Sequence, residues 1–216
     1  MKAFDALKIL VDVLIAKGYG NSVNNQLSVD GNGDPLPWFS YPAIDYLRGL
    51  DLTTKHLFEY GAGCSTLFWA SMCKDVVSVE NDRAWHAKVS SAAPPNAKVL
   101  LREDEASYFD AILEDSARYD VIVVDGGLNR RKMAERSLHR LAPGGFIILD
   151  NSDCHVRAAA VLRQADLIQV DMNGFSPINT HETTTSFFFA RDFNFKPKGE
   201  WQPLKTPWCM KHYVDE

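Results

Sequence analysis

The sequence has no CxxC pair, no long basic run of the kind that tracks a phosphate backbone and no apolar stretch near the roughly twenty residues of a membrane span. Each absence removes a class of function. The four cysteines, Cys64, Cys73, Cys154 and Cys209, are scattered, which argues against a disulfide framework and reads as reduced thiols in a cytoplasmic chain. The pairs Cys154–His155 and Cys209–His212 lack finger or ribbon spacing, so they predict no zinc site. A net charge of −5 without a basic run predicts neither nucleic acid nor an anionic membrane as partner. The N-terminal "MKAFDALKILVDVLIAKG" does not read as a leader peptide, because Asp5, Lys8 and Asp12 interrupt it and no small-residue cleavage site comes after it. Its apolar Phe4, Leu7, Leu10, Val11 and Leu14 fall at helical spacing instead. A Gly-x-Ser-x-Gly elbow is also missing, which argues against a hydrolase.

What is present is a regular alternation. The chain's 216 residues, 46% of them hydrophobic, suit a single domain with a full core. A helix over residues 1–18 ends at Gly18 and Gly20. A polar Gly-, Asn- and Pro-rich loop comes next over Asn21–Trp38, and "SYPAIDYLRGL" opens a helix with Pro42 in its first turn. Strand-length apolar runs then recur at "HLFEY", "DVVSVE", "AKVLLR", "YDVIVVD" and "GGFIILD", with helices between them at Ser65–Cys73, Asp82–Ala92, Tyr108–Asp115 and Arg130–Leu141. Runs such as "VIVV" and "FIIL" suit strands covered on both faces, hence a mostly parallel sheet between helix layers. After the helix "VRAAAVLRQA", "LIQVDM" and "TTSFFFA" are joined by a loop too short for a crossover helix, and should pair antiparallel at the sheet edge. The residues from Asp192, with Pro197, Pro203 and Pro207, read as an extended wrap.

Ligands of such sheets bind at the carboxyl ends of the strands. Every one of these five ends carries an acid: Glu59, Glu80, Glu103-Asp104-Glu105, Asp125 and Asp150. Singly, each suits a helix cap. Together they repel one another unless a cation or hydroxyls answer them.

"EYGAGCST" at the first end resembles a dinucleotide loop, but Thr66 stands where the third glycine belongs and Glu59 would face a pyrophosphate. A ligand with a cationic amino-acid end, a ribose and no phosphate fits better. Gly61 and Gly63 would let the backbone approach it, and Glu80 is placed for ribose hydroxyls.

In order and spacing, "FEYGAGCSTLFWA", "VVSVEND", "YDVIVVDGG" and "LAPGGFIILDNSD" resemble the successive motifs of class I S-adenosylmethionine-dependent methyltransferases, over about Leu57 to Ala190. The resemblance implies a Rossmann-like, doubly wound α/β fold: seven strands, mostly parallel, the last reversed, with helices on both faces. The implied cofactor is S-adenosylmethionine. Glu59, Gly61, Ala62, Gly63 and Ser65 would surround its methionine part, Glu80 and Asn81 its ribose, and Asp104 or Glu105 its adenine, with Asp125 beside the methyl. Residues 55–191 would form this domain, residues 1–54 a helical extension and loop capping the site, and residues 192–216 the tail. A small-molecule acceptor, methylated at oxygen or nitrogen, is the expected partner.

Asp125, Asp150 and Asn151 also resemble the ligand set of magnesium-dependent catechol-type O-methyltransferases. That family's lysine base falls here on Leu128, so the expectation is metal-free, with Asp125 and Asp150 in the chemistry and Asp150 and Asn151 also suited to capping the next helix. His155 and His181 are the other candidate bases, and His181 is placed in a loop that could close over an acceptor. Trp38 and Tyr41 either wall a pocket or pack in the core, whereas Trp69 and Trp85 fall on helices and are expected in the core. An NAD-dependent oxidoreductase and a non-catalytic methyltransferase-like module are the competing functions.

Overall fold

The computed structural model describes residues 3–200 and 203–204; residues 205–216, with Pro207, Cys209 and His212, lie outside the described residues. Seven strands form one sheet: β1 (His56–Tyr60), β2 (Asp75–Glu80), β3 (Ala97–Leu101), β4 (Tyr119–Val124), β5 (Leu141–Leu149), β6 (Ile168–Phe175) and β7 (Glu182–Phe189). Their order is β3-β2-β1-β4-β5-β7-β6. The first five are parallel, and β7 runs antiparallel to both β5 and β6. The reversed last strand therefore lies one place inside the edge.

The uninterrupted apolar runs reflect two-sided burial. Alternate residues of a strand face opposite sides. Val121, Val123, Phe146 and Ile148 accordingly join one core, with Ile44 and Leu47 of α3 (Tyr41–Arg48) and Phe68 and Trp69 of α4 (Cys64–Ala70). Ile122, Val124, Ile147 and Leu149 join the other. That second layer is covered by α6 (Glu105–Asp110), α7 (Arg130–Leu138) and α8 (Val156–Gln164), while α5 (Arg83–Ala92) packs beside β3. No helix among the described residues is long and apolar enough to cross a membrane.

The N-terminal segment departs from expectation. Helix α1 (Ala3–Ala16) forms, but Phe4, Leu7, Leu10 and Val11 are exposed, and of the expected stripe Leu14 packs against the core. Gly18 does stop it, at φ +87, but the chain then enters a second helix, α2 (Tyr19–Asn25), whose residues from Asn21 onward fall inside the stretch read as loop. The left-handed glycine redirects the backbone, and the residues after it are free to wind again. The remaining loop reaches the sheet through Ser40, whose N–H donates to Thr185 Oγ1 and whose hydroxyl donates to the Met172 carbonyl. Beyond β7, Phe193 and Phe195 pack on Phe146, and residues 196–198 pair with the backbone of residues 49–51.

Candidate active site at the strand ends

Strand order reverses between β1 and β4, so the loops after these strands diverge and leave a crevice at their carboxyl ends. Two adjoining cavities occupy this place. One, of about 260 Å³, is bordered by Ala62, Gly63, Cys64, Ser65, Trp85 and Asp125, with Gln26, Leu27, Ser28, Leu36, Trp38 and Ile178 closing its far side. The other, of about 360 Å³, is bordered by Trp38, Asp125, Arg130, Asp150, Asn151 and Asn179. Trp38 and Asp125 belong to both walls.

Two glycines hold the first loop close to the fourth strand. Gly61 has φ +89, and a Cβ there would lie 3.2 Å from Gly126 Cα. At Gly126 a Cβ would meet the Tyr108 hydroxyl at 2.2 Å. Neither position has room for a side chain.

Glu59, Glu80, Asp104, Asp125 and Asp150 at the strand ends each have polar partners. Glu59 is buried, and its Oε2 accepts hydrogen bonds from Thr66 Oγ1 at 2.6 Å and Ser78 Oγ at 2.7 Å. Thr66 Oγ1 in turn accepts from the Gly63 N–H. The residue that departs from the dinucleotide pattern thus ties the glycine loop to the acid beneath it. Glu80 accepts the Ala62 N–H on Oε2 and the Asn81 and Asp82 N–H groups on Oε1. Asp104 caps α6 through the Ser107 N–H and hydroxyl, which hold its carboxyl below the usual range. Asp150 Oδ1 accepts from Thr185 Oγ1 at 2.6 Å.

The cation is Arg130, at the first position of α7 and 9% exposed. All five of its N–H groups are engaged. Nε donates to the Gly126 carbonyl, Nη1 to the Asp150 carbonyl and Asn151 Oδ1, and Nη2 to the Asp125 carbonyl and Asp125 Oδ1. The guanidinium therefore ties together the ends of β4 and β5. Asn151, at φ +49, also donates its amide to Thr183 Oγ1. No group of three or more His, Cys, Asp or Glu that could hold a metal occurs among the described residues.

Burial raises the carboxyls that remain. Asp125 is pushed up to about 6 by desolvation against the pull of Arg130, and Asp150 is raised well above the carboxylate range by burial and by the charge of Asp125. Glu59 is pushed up to about 7, again by burial, and its Oε1 is buried without a hydrogen-bond partner. The folded chain thus binds the Glu59 proton more tightly than the unfolded chain does. That contribution to stability is complete below about pH 4.5 and is lost as pH rises to about 7. Glu59→Gln should flatten the fall in melting temperature between pH 5 and 8, and should stabilise the ligand-free protein at pH 8 by on the order of 2–4 kcal/mol. Parallel melting curves for the two proteins would show that Glu59 ionises freely in the fold.

Of the residues expected at the site, the structure brings together Ala62, Gly63, Ser65, Asp125 and Asp150 in these two walls. Glu59 and Gly61 lie a layer below, shaping the loop rather than facing the space. Glu80, Asn81, Asp104 and Glu105 border neither cavity, and nor does His181, which is exposed on the β6–β7 loop while its neighbours Ile178 and Asn179 face the cavities. His155 lies at the N-terminus of α8 beside a third cavity, with burial and Arg130 lowering its basicity. Tyr41 and Trp69 are core residues, and Trp38 is a wall. Trp85 is not in the core as expected. It is 36% exposed, and its indole N–H donates to the Ala62 carbonyl at 2.5 Å, so it stands on the glycine loop as part of the cavity. Arg130 was legible only indirectly, as the cation that clustered acids demand.

No protein-family model matches the sequence, and no curated protein sequence matches it. Solved structures do match in shape. A candidate rRNA methylase from Clostridium thermocellum is 11% identical, with a TM-score of 0.55 over 72% of this chain and 98% of that one. Precorrin-6y C5,15-methyltransferase from Geobacter metallireducens is 12% identical, with a TM-score of 0.54 over 68% and 85%. The O-methyltransferase TomG from Streptomyces achromogenes, solved with S-adenosylmethionine, is 14% identical, with a TM-score of 0.51 over 68% and 76%. With the strand order and the reversed β7, these likenesses identify the architecture: the chain has the class I methyltransferase fold.

Proposed function

We propose that this chain is an S-adenosylmethionine-dependent methyltransferase acting on a small molecule without a metal ion. The observation that carries the reading is the pair of joined cavities, one beside the glycine loop and one between Asp125 and Asp150, meeting at Asp125. When bound, S-adenosylmethionine supplies a methyl group on a cationic sulfur. The chain's own contribution is to align two partners and exclude water. Ala62, Gly63 and Ser65 would hold the methionine part with Trp85 and Trp38 alongside, Gly61 and Glu59 would shape that loop from below, and Asp125 would lie at the junction with the acceptor. Glu80, with Asn81, and Asp104 or Glu105 would take the ribose and adenine where the nucleoside extends past Ala62. Residues 1–54 serve as the cap, since Gln26, Leu27, Ser28, Leu36 and Trp38 close the first cavity. Residues 55–191 form the binding domain and residues 192–216 its tail. His181 could serve the acceptor through movement of its loop. The place of the protein is the cytoplasm.

A buried acid beneath the loop and the bulk of Thr66 speak against a pyrophosphate, and so against the oxidoreductase. Arg130, bonded to Asp125 and Asn151, supports the metal-free form. The test is thermal. S-adenosylhomocysteine should stabilise the protein by about 2.7 kcal/mol at a hundred times its Kd, equally with and without EDTA, and NAD should not. A shift with NAD instead, or none with the S-adenosyl compound, removes the proposal.

A further inference from the structure

The cavity between Asp125 and Asp150 has a charge character that goes beyond the presence of an acceptor. Its wall holds two carboxyl groups, Asp125 and Asp150, and one guanidinium. The guanidinium has no N–H left to offer, because all five are bonded to Asp125, Gly126, Asp150 and Asn151. The Asn151 amide donates to Thr183, and position 128 holds leucine rather than a cation. The remaining side-chain donors among the described residues of this wall are uncharged: the second amide N–H of Asn151 and the groups of Trp38 and Asn179. On the acceptor side, Asp125 engages Oδ1 with Arg130, while its side chain remains 22% exposed.

From this we propose that the cavity receives the amino end of the acceptor, so that the site methylates nitrogen and rejects an anionic reacting group. The inference rests on the methyltransferase reading. A hydroxyl that becomes a nucleophile develops negative charge, and here that charge would meet the Asp125 carboxylate with no free cationic donor to stabilise it. An amine develops positive charge as it is methylated, which the Asp125 carboxylate favours. The amine must also lose one proton, and the unbonded Oδ2 of Asp125 is the atom that receives it. Trp38 adds an aromatic wall suited to a cationic nitrogen or to the apolar body that bears it.

The experiment uses three probes that share one ring: benzylamine, benzyl alcohol and benzoate. Their binding to the full chain is measured by calorimetry, with and without saturating S-adenosylhomocysteine. Benzylamine should bind at least about tenfold more tightly than benzoate and benzyl alcohol, and Asp125→Asn should abolish most of that preference while Asp153→Asn, whose carboxylate caps a backbone N–H at Thr184, leaves it intact. Equal binding of the three, a preference for benzoate or the alcohol, or no binding of benzylamine overturns the proposal. Failure of S-adenosylhomocysteine to bind would instead overturn the methyltransferase reading, and the amine preference measured without it would stand as a separate result.

Discussion

Arg130→Met should destabilise the folded protein by about 3–5 kcal/mol at pH 8, the cost of breaking a buried ion pair by removing one partner. Methionine fills much of the volume but offers no donor. Asp125 Oδ1 would lose its cation, and the carbonyls of Asp125, Gly126 and Asp150 would lose the N–H groups that now bridge β4 to β5. The loss should shrink at pH 5, because Asp125 and Asp150 already hold protons more tightly than ordinary carboxyls and become neutral there. Urea unfolding at the two pH values measures both numbers. Arg130→Lys should recover only part of the stability, since an ammonium supplies the charge but not five donors in one plane. A loss below about 1 kcal/mol, or one independent of pH, would mean that the guanidinium is not what holds the two aspartates together.

Glu80→Ala should weaken S-adenosylhomocysteine by on the order of 2–4 kcal/mol, or roughly 30- to 1,000-fold in Kd. Two routes lead to this loss. Its carboxylate is placed for ribose hydroxyls at the end of β2, and it also accepts the Ala62, Asn81 and Asp82 N–H groups, bracing the glycine loop. Glu80→Gln separates them. The amide keeps an acceptor for the Asn81 and Asp82 N–H groups but turns a donor toward the Ala62 N–H and lacks the negative charge, so a fall in melting temperature reports the lost brace, and a loss of affinity at unchanged melting temperature reports the lost ribose contact. Calorimetric titration of both variants, beside their ligand-free melting curves, reads the two effects independently. If Ala at position 80 changes the affinity less than about threefold in a folded protein, the carboxylate braces the loop and the ribose is held elsewhere.

The sequence by itself determined the parts whose causes are local. The runs "VIVV" and "FIIL" suit strands covered on both faces, and they became the centre of the sheet, with successive residues in opposite cores. The short connection between "LIQVDM" and "TTSFFFA" allowed only an antiparallel pair, which β6 and β7 form. The acids at the strand ends were readable as a cluster in need of compensation, whereas the approach of Gly61 to the Gly126 backbone was not, because the glycine pattern points to a ligand. Helix α2 was missed because Gly18 reads as a stop, and a local stop signal says nothing of what the redirected chain does next.

Tertiary structure decided how each acid is answered, because those partners are brought together by the fold. Ser78 reaches Glu59 from the neighbouring strand, Thr185 reaches Asp150 from a strand thirty-five residues away, and Arg130 joins two loops that the parallel pairing of β4 with β5 sets side by side. It also moved Trp85 from the expected core to the cavity wall: the apolar face of a helix indicates burial, but an indole N–H with a carbonyl in reach can satisfy itself at a loop instead. Periodicity along the chain reports which side of an element is apolar. Which side chain meets a given charge depends on strand order and register, and those exist only once the sheet has formed.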